Sequence, residues 1–220
     1  MGMTVSRLLY LIKSDHHRYH GGYRPLHLLK DLFFNRGFKI TFCYRIAHYF
    51  YVNRQQAALR LFNLYYFNLQ TRFCCELPYE TRIGPGFYFG HVFGAIINAQ
   101  SQFGQNVNMS HGVTLGRIAT GPRAGAPIVR DNVYIAPGAK LIGGITLGKG
   151  TAVGANAVVT KDTPENAVVV GIPAEVISLK GSADYVIHTV ADENASPPPT
   201  NGPASKPRGA DSKEEALLSS

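Results

Sequence analysis

Charge is scarce in this sequence, and acidic charge scarcer still. Asp, Glu, Lys and Arg make up 16% of the 220 residues, with 14 acids against 22 bases. A chain so poor in charge is not an array of long solvated helices. The excess of base is local: residues 1–80 hold eleven Lys/Arg and four Asp/Glu, which accounts for nearly all of the net +8. Such a region suits nucleic acid, an anionic membrane face or a phosphate-bearing ligand. No RNP, zinc-finger or helix-turn-helix signature is present, so no nucleic-acid partner is expected. Cysteine is limited to positions 43, 74 and 75, without the spacing of a metal site or a disulfide framework. All three read as reduced core thiols of a cytoplasmic protein, and no metal is expected. Long apolar runs are missing too. LLYLI after Arg7 is too short for a secretory signal. Arg45, Arg54 and Arg60 break the aromatic stretch 43–67, whereas a spanning helix needs roughly 20 apolar residues. Peripheral contact with the inner face of a membrane, through the basic region, stays open.

What is abundant is apolar side chains, at 45%, and glycine, at 23 residues. That mixture predicts a buried core with tight turns in series. Three regions follow. Residues 1–80 carry apolar positions at three- and four-residue spacing, in DHHRYH, PLHLLKDLFF and ITFCYRIAHYFY, and read as helical. Pro25 suits the first turn of a helix, and NRG at 35–37 reads as a stop. Residues 81–178 form a β domain. Residues 179–220 are an extension, read as disordered from about 190 because ENASPPPTNGPASKPRGADSKEE has no aromatics and is rich in Pro, Ser and charge.

The β domain repeats. From Val129 an aliphatic residue returns every six positions, at Ile135, Leu141, Leu147, Val153 and Val159. A second small or apolar residue lies four positions after the first five of them, at Val133, Ala139, Ile145, Thr151 and Ala157. The same step runs through Ile83, Phe89 and Ala95, then Phe103, Met109 and Leu115, with two extra residues after 95 and eight after 115. A period of six is neither helical nor that of a hairpin. It is the hexapeptide pattern of a parallel β-helix, with three short sides to each coil of 18 residues. Twelve anchors predict about four coils, stacked about 4.8 Å apart like other paired strands. The glycines of GKGTAVGA are then corners rather than a phosphate loop.

The stretch YFGHVFGAII sets His91 among Gly, Phe and Ile. From the residues alone it is either a satisfied core histidine or a working one. His91 lies two residues after anchor Phe89, and His111 two residues after anchor Met109. The two histidines are therefore predicted to stack on one corner, a coil apart, with Pro137 and Ala155 continuing the column.

Several of these stretches carry a resemblance. YRIAH, IGPGFYFGH, HGVTLG, IAPGAKLIGGITLGKGTAVGANAVVTKD and VVVGIPAEVI resemble the serine acetyltransferase family of hexapeptide acyltransferases and its polysaccharide O-acetyltransferase relatives, over roughly residues 13–178. The Gly-His block followed by VTLG is the most specific part. The resemblance implies a left-handed coil, acetyl-CoA as co-substrate, and a homotrimer or dimer of trimers with sites between subunits. It puts the catalytic histidine at His91. A neutral imidazole, with an ordinary pKa of about 6.5, can take the proton of an attacking hydroxyl near neutral pH. The column is then a strip for the pantetheine arm, and His111 either binds coenzyme or orients His91. Pro137, Ala155 and Lys161 are the candidate coenzyme residues; Lys140 and Lys149 are further cations for its phosphates, with solvated surface as the plainer reading of all three lysines. Asp15 falls roughly where the family has an N-terminal substrate aspartate.

The sequence also departs from that family. The aspartate that precedes its catalytic histidine is Gly90 here. The positions of its DRHP loop, counted from VTLG, are Ala124, Gly125, Ala126 and Pro127. The arginine expected to hold serine's carboxylate is missing, and a carboxylate in a pocket without its cation is costly. These losses spare the donor half and strike the acceptor half. The expected acceptor is therefore a sugar hydroxyl of polysaccharide synthesis, with serine O-acetylation as the alternative and a non-catalytic β-helix scaffold as a second.

Overall fold

The protein is described from a computed structural model over residues 2–191. The tail expected to be disordered from about 190 lies almost wholly outside the described residues. The expected helical region forms four helices, α1 (Val5–His20), α2 (Pro25–Phe34), α3 (Arg36–Val52) and α4 (Gln56–Arg72). Thr4 caps α1 by accepting from the Arg7 N–H at 3.2 Å, and Gly21 closes it in the left-handed conformation at φ 66°. Pro25 opens α2, where its missing N–H costs nothing. NRG is more than a stop. Asn35 ends α2 and starts α3: its N–H donates to the Asp31 carbonyl, and its side chain accepts from Phe38 N at 3.0 Å. Of the three cysteines, Cys43 and Cys75 are buried, and burial pushes both thiols up to about 12. Cys74 is exposed, which corrects the expectation of three core thiols.

The β domain rotates through three sheets. In chain order its strands are β1 (Arg82–Ile83), β2 (Tyr88–Phe89), β3 (Ile96–Ile97), β4 (Gln102–Phe103), β5 (Asn108–Met109), β6 (Thr114–Gly116), β7 (Ile128–Val129), β8 (Tyr134–Ile135), β9 (Lys140–Ile142), β10 (Thr146–Leu147), β11 (Ala152–Val153) and β12 (Val158–Val159). Every third strand pairs in parallel, giving sheets β1-β4-β7-β10, β2-β5-β8-β11 and β3-β6-β9-β12. Strand β13 (Val168–Gly171) extends the second sheet, and β14 (Ala174–Ser178) closes it antiparallel. The closing strand shields an edge that would otherwise be open to pairing. The anchors point inward as the repeat requires: Phe89, Ile135, Leu141 and Leu147 are fully buried.

One anchor differs from expectation. Ile97, not Ala95, pairs with Leu115, while Ile83 pairs with Phe103 and Phe89 with Met109. Both Ala95 and Ile97 are buried, so burial does not separate them, but the register does. The two extra residues therefore lie between Phe89 and Ile97, inside the corner that carries His91. The larger insertion, after Leu115, leaves the wall as a loop pinched by the Ile118–Gly125 bridge.

A buried ion pair fastens the helices to the first coil. Arg45 of α3 donates to both Asp15 oxygens at 2.7 and 3.0 Å, and to the carbonyls of Ile83 and Gly84 at 2.6 Å. Asp15 of α1 also accepts from Phe87 N at 2.8 Å. Both side chains are 1% exposed, so nothing but protein satisfies them. Burial opposes the Arg45 charge; the Asp15 carboxylate outweighs it and holds the guanidinium above its ordinary value. Burial likewise raises the Asp15 carboxyl, against Arg45 and the Phe87 N–H. Beside the pair, Arg18 donates to the Gly86 carbonyl at 2.8 Å and to Asn108 at 2.7 Å. Tyr44 and His48 of the same YRIAH stretch bond the carbonyls of Thr81 and Tyr79. YRIAH is thus a docking segment. Replacing Asp15 by Asn strands the Arg45 charge, and chemical denaturation should show a loss of about 3–5 kcal/mol. A loss of under about 1 kcal/mol would show the pair to be dispensable.

Candidate active site

His91 is exposed, so the core reading fails for it. It sits in the enlarged corner Gly90–Gly94, whose backbone is held at both ends. Gly90 N donates to Met109 O at 3.0 Å, and Gly94 N to Cys74 O at 2.9 Å. Gly94 takes the left-handed conformation at φ 69° and its Cα packs on Gly112, which in turn packs on Gly138. That stack fixes the column below the corner. Gly112 N donates to Phe93 O and Gly138 N to His111 O, so the backbone position above His111 is Phe93. The expected column of His91, His111, Pro137 and Ala155 is corrected to Phe93, His111, Pro137 and Ala155. The reason is the two-residue insertion, which pushes His91 out of register. The side chains nevertheless meet: the His91 and His111 rings stand edge to face with centroids 5.8 Å apart.

Helix α3 brings a second element to this corner. Its first turn packs on β2 so closely that a Cβ at Gly37 would stand 1.8 Å from the Phe89 carbonyl oxygen. Tyr19 of α1 braces the same peptide, its hydroxyl donating to Phe89 O at 3.0 Å and accepting from Phe89 N at 3.2 Å. Arg36, one residue before Gly37, lies with its guanidinium 5.3 Å from the Phe93 ring centroid. The result is an open cavity of about 350 Å³ lined by Asp31, Asn35, Arg36, Gly90, His91 and Phe93, among others.

The remaining candidates fall elsewhere. Asp15 is locked in the buried ion pair and is absent from the lining of this cavity. Lys140 donates to the Gly112 carbonyl at 2.5 Å, tying two coils rather than standing free for phosphate. Ala155, Lys149 and Lys161 are exposed, and Pro137 is half-buried. In the loop that lacks the family's arginine, Arg123 donates to Thr160 O at 2.7 Å and Arg117 is exposed. Arg36 and Asp31 were missed from the sequence. A helix N-terminus 55 residues upstream of His91 carries no spacing signal that links the two.

The wall of hexads defines the class first. The family description "Bacterial transferase hexapeptide (six repeats)" matches residues 126–161. Serine acetyltransferase of Bacillus pumilus is 37% identical over 149 residues, 66% of this chain and 65% of that protein. Serine acetyltransferase of Staphylococcus epidermidis is 34% identical over 148 residues, 66% of this chain and 67% of that protein. A solved serine acetyltransferase in complex with CoA superposes with a TM-score of 0.65 at 29% identity, covering 79% of this chain and 71% of that one. The chain belongs to the serine acetyltransferase family. It spans 56–67% of the length of such curated relatives. These relatives overturn the expectation of a sugar acceptor in polysaccharide synthesis. The missing aspartate, arginine and partner histidine, at Gly90, Gly125 and Ala126, are outweighed by identities of 34–37% to serine acetyltransferases across two thirds of the chain.

The close approach of α3 gives a test. Alanine normally stabilises a helical position relative to glycine by up to about 1 kcal/mol. At Gly37 the added methyl meets backbone that cannot yield, so Gly37→Ala should instead destabilise by about 1–3 kcal/mol in denaturant unfolding. A stabilised variant would mean that α3 does not rest on the Phe89 peptide.

Proposed function

We propose that this protein is an acetyl-CoA-dependent serine O-acetyltransferase, with His91 as the general base. The observation that carries the reading is the pairing, in one cavity, of an exposed imidazole with the Arg36 guanidinium. The family's carboxylate-binding arginine is absent from 124–127, and Arg36, in the lining of the His91 cavity, supplies the same charge from α3. A guanidinium offers a carboxylate two parallel N–H donors, and here the Phe93 ring lies 5.3 Å from it. Serine then lies with its hydroxyl toward His91. The imidazole removes the hydroxyl proton as the oxygen attacks the thioester carbonyl carbon. The tetrahedral intermediate collapses with cleavage of the carbon–sulfur bond, and the imidazolium returns the proton to the departing thiolate. The products are O-acetylserine and coenzyme A.

The donor side rests on the corner column. His111, Pro137 and Ala155 present no long aliphatic side chain, so an extended pantetheine arm can lie flat along them. Lys161, exposed on the last coil, is the cation we assign to the nucleotide end. We read the three sheets as four coils of a left-handed helix, and the assembly as a trimer or a dimer of trimers in the cytoplasm. No helix among the described residues is long and apolar enough to cross a membrane.

Thiol release from acetyl-CoA by the purified full chain tests the reaction. It should depend on L-serine, and His91→Ala should lower kcat by about 10²–10⁴. Arg36→Ala should raise the KM for serine about tenfold or more, the weight of a charged hydrogen bond, with kcat changed less. Release that ignores serine would refute the acceptor, and full activity of His91→Ala would refute the base.

A further inference from the structure

We propose that His16, His20 and Asp31 form a binding site for a divalent transition-metal ion of the zinc type. The site is built by α1 and α2, and Asp31 is the one of the three that also lines the His91 cavity. His16 and His20 are four residues apart on α1, so both rings leave one helix face, as helical histidine pairs that ligate zinc do. Asp31, 11 residues after His20 and on α2, meets them. The Asp31 Oδ2 oxygen lies 3.3 Å from His16 Nε2 and 2.6 Å from His20 Nε2. One ligand atom from each of the three falls within 4.8 Å of the others.

A second observation points to a ligand. The His16 side chain is fully buried, yet neither ring nitrogen has a well-aligned hydrogen-bond partner. Around it stand the rings of Phe38, at 5.2 Å, Tyr23, at 5.8 Å, and His20, at 5.0 Å, with the His27 backbone as a further polar neighbour. A buried imidazole left unsatisfied is destabilising. An ion between the three residues removes that cost for Nε2. The geometry fits a small ion. With ligand bonds of about 2.0–2.2 Å, neighbouring donors around a tetrahedral ion stand roughly 3.3–3.5 Å apart. The His16–Asp31 separation already has that value, and His20 needs to withdraw by about 0.7 Å, from a hydrogen bond to a ligand edge. Its ring is 33% exposed, so it can move, and the ion has a way in from solvent. Two imidazoles and one carboxylate favour zinc, cobalt or nickel over calcium and magnesium. The fourth position is left to water. His27 stands beside it, with its ring 5.1 Å from His20 and its buried Nδ1 unpartnered. The bound ion ties α1 to α2, next to the wall of the His91 cavity that Asp31 also lines.

The test uses the untagged full chain, stripped with a chelator and titrated with Co²⁺ and Zn²⁺. One Co²⁺ per chain should bind at micromolar protein with a visible d–d absorption, and one equivalent of Zn²⁺ should displace it and raise the melting temperature. His20→Ala, at the exposed ligand, should weaken Co²⁺ binding by about 100-fold or more and shrink the melting shift that the metal produces relative to its own metal-free form. His16→Phe, which fills the same apolar pocket, should abolish the absorption and remove the melting shift. No stoichiometric binding to the native chain would overturn the proposal. So would binding that survives His20→Ala but is lost in His91→Ala, because the ion would then sit on the His91–His111 pair.

Discussion

Arg45 and Asp15 form the contact on which the rest of the molecule is hung. Two opposite charges, both withdrawn from water, cannot be left half-satisfied in the core. The only arrangement that meets their demands brings α1, α3 and the carbonyls of Ile83 and Gly84 to one point. That geometry leaves little freedom to the rest. It sets α3 across β2, where glycine alone fits at position 37, and it puts the first residue of α3 over the corner of His91. The α3 wall of the cavity therefore depends on an ion pair that never touches it.

The second constraint is the bookkeeping of the coil. A regular hexapeptide corner has no room for a cavity, because each residue stacks on its equivalent in the next coil. The two residues inserted between Phe89 and Ile97 break that stacking at one place. Phe93 takes the column position above His111, and His91 is released sideways to meet the His111 ring and the end of α3. Catalysis on this fold is thus proposed to arise where the repeat is violated, with the regular column below it left as the track for coenzyme.

How much of this was legible in the sequence depends on the reach of each signal. The six-residue period announced the β-helix because every side must bury its anchor, and eleven of the twelve expected anchors hold. Ala95 was taken for the anchor Ile97, since both are apolar and two apart, and only pairing with Leu115 separates them. YRIAH was recognisable as a motif, but its work as a dock depends on carbonyls 37 and 38 residues away that no local pattern reveals. Asp15 was visible as an isolated acid in a basic region. Its partner, Arg45, is set by helix packing, which an isolated acid does not announce. Arg36 was invisible for the same reason. The loss of the family's arginine was legible and pointed the acceptor reading toward a sugar; the charge we propose in its place, Arg36, comes from another element.

The measurement that tests the account most directly is a crystal structure of the full chain with coenzyme A. The account predicts that the thiol sulfur lies at the Gly90–Gly94 corner, within about 3 Å of a His91 ring nitrogen or one water away, and that the pantetheine runs past His111 toward Pro137 and Ala155. A coenzyme whose thiol lies elsewhere, for example in the hollow beside Cys74, Tyr79 and Ile96, would contradict the claim that the broken corner is where the chemistry occurs.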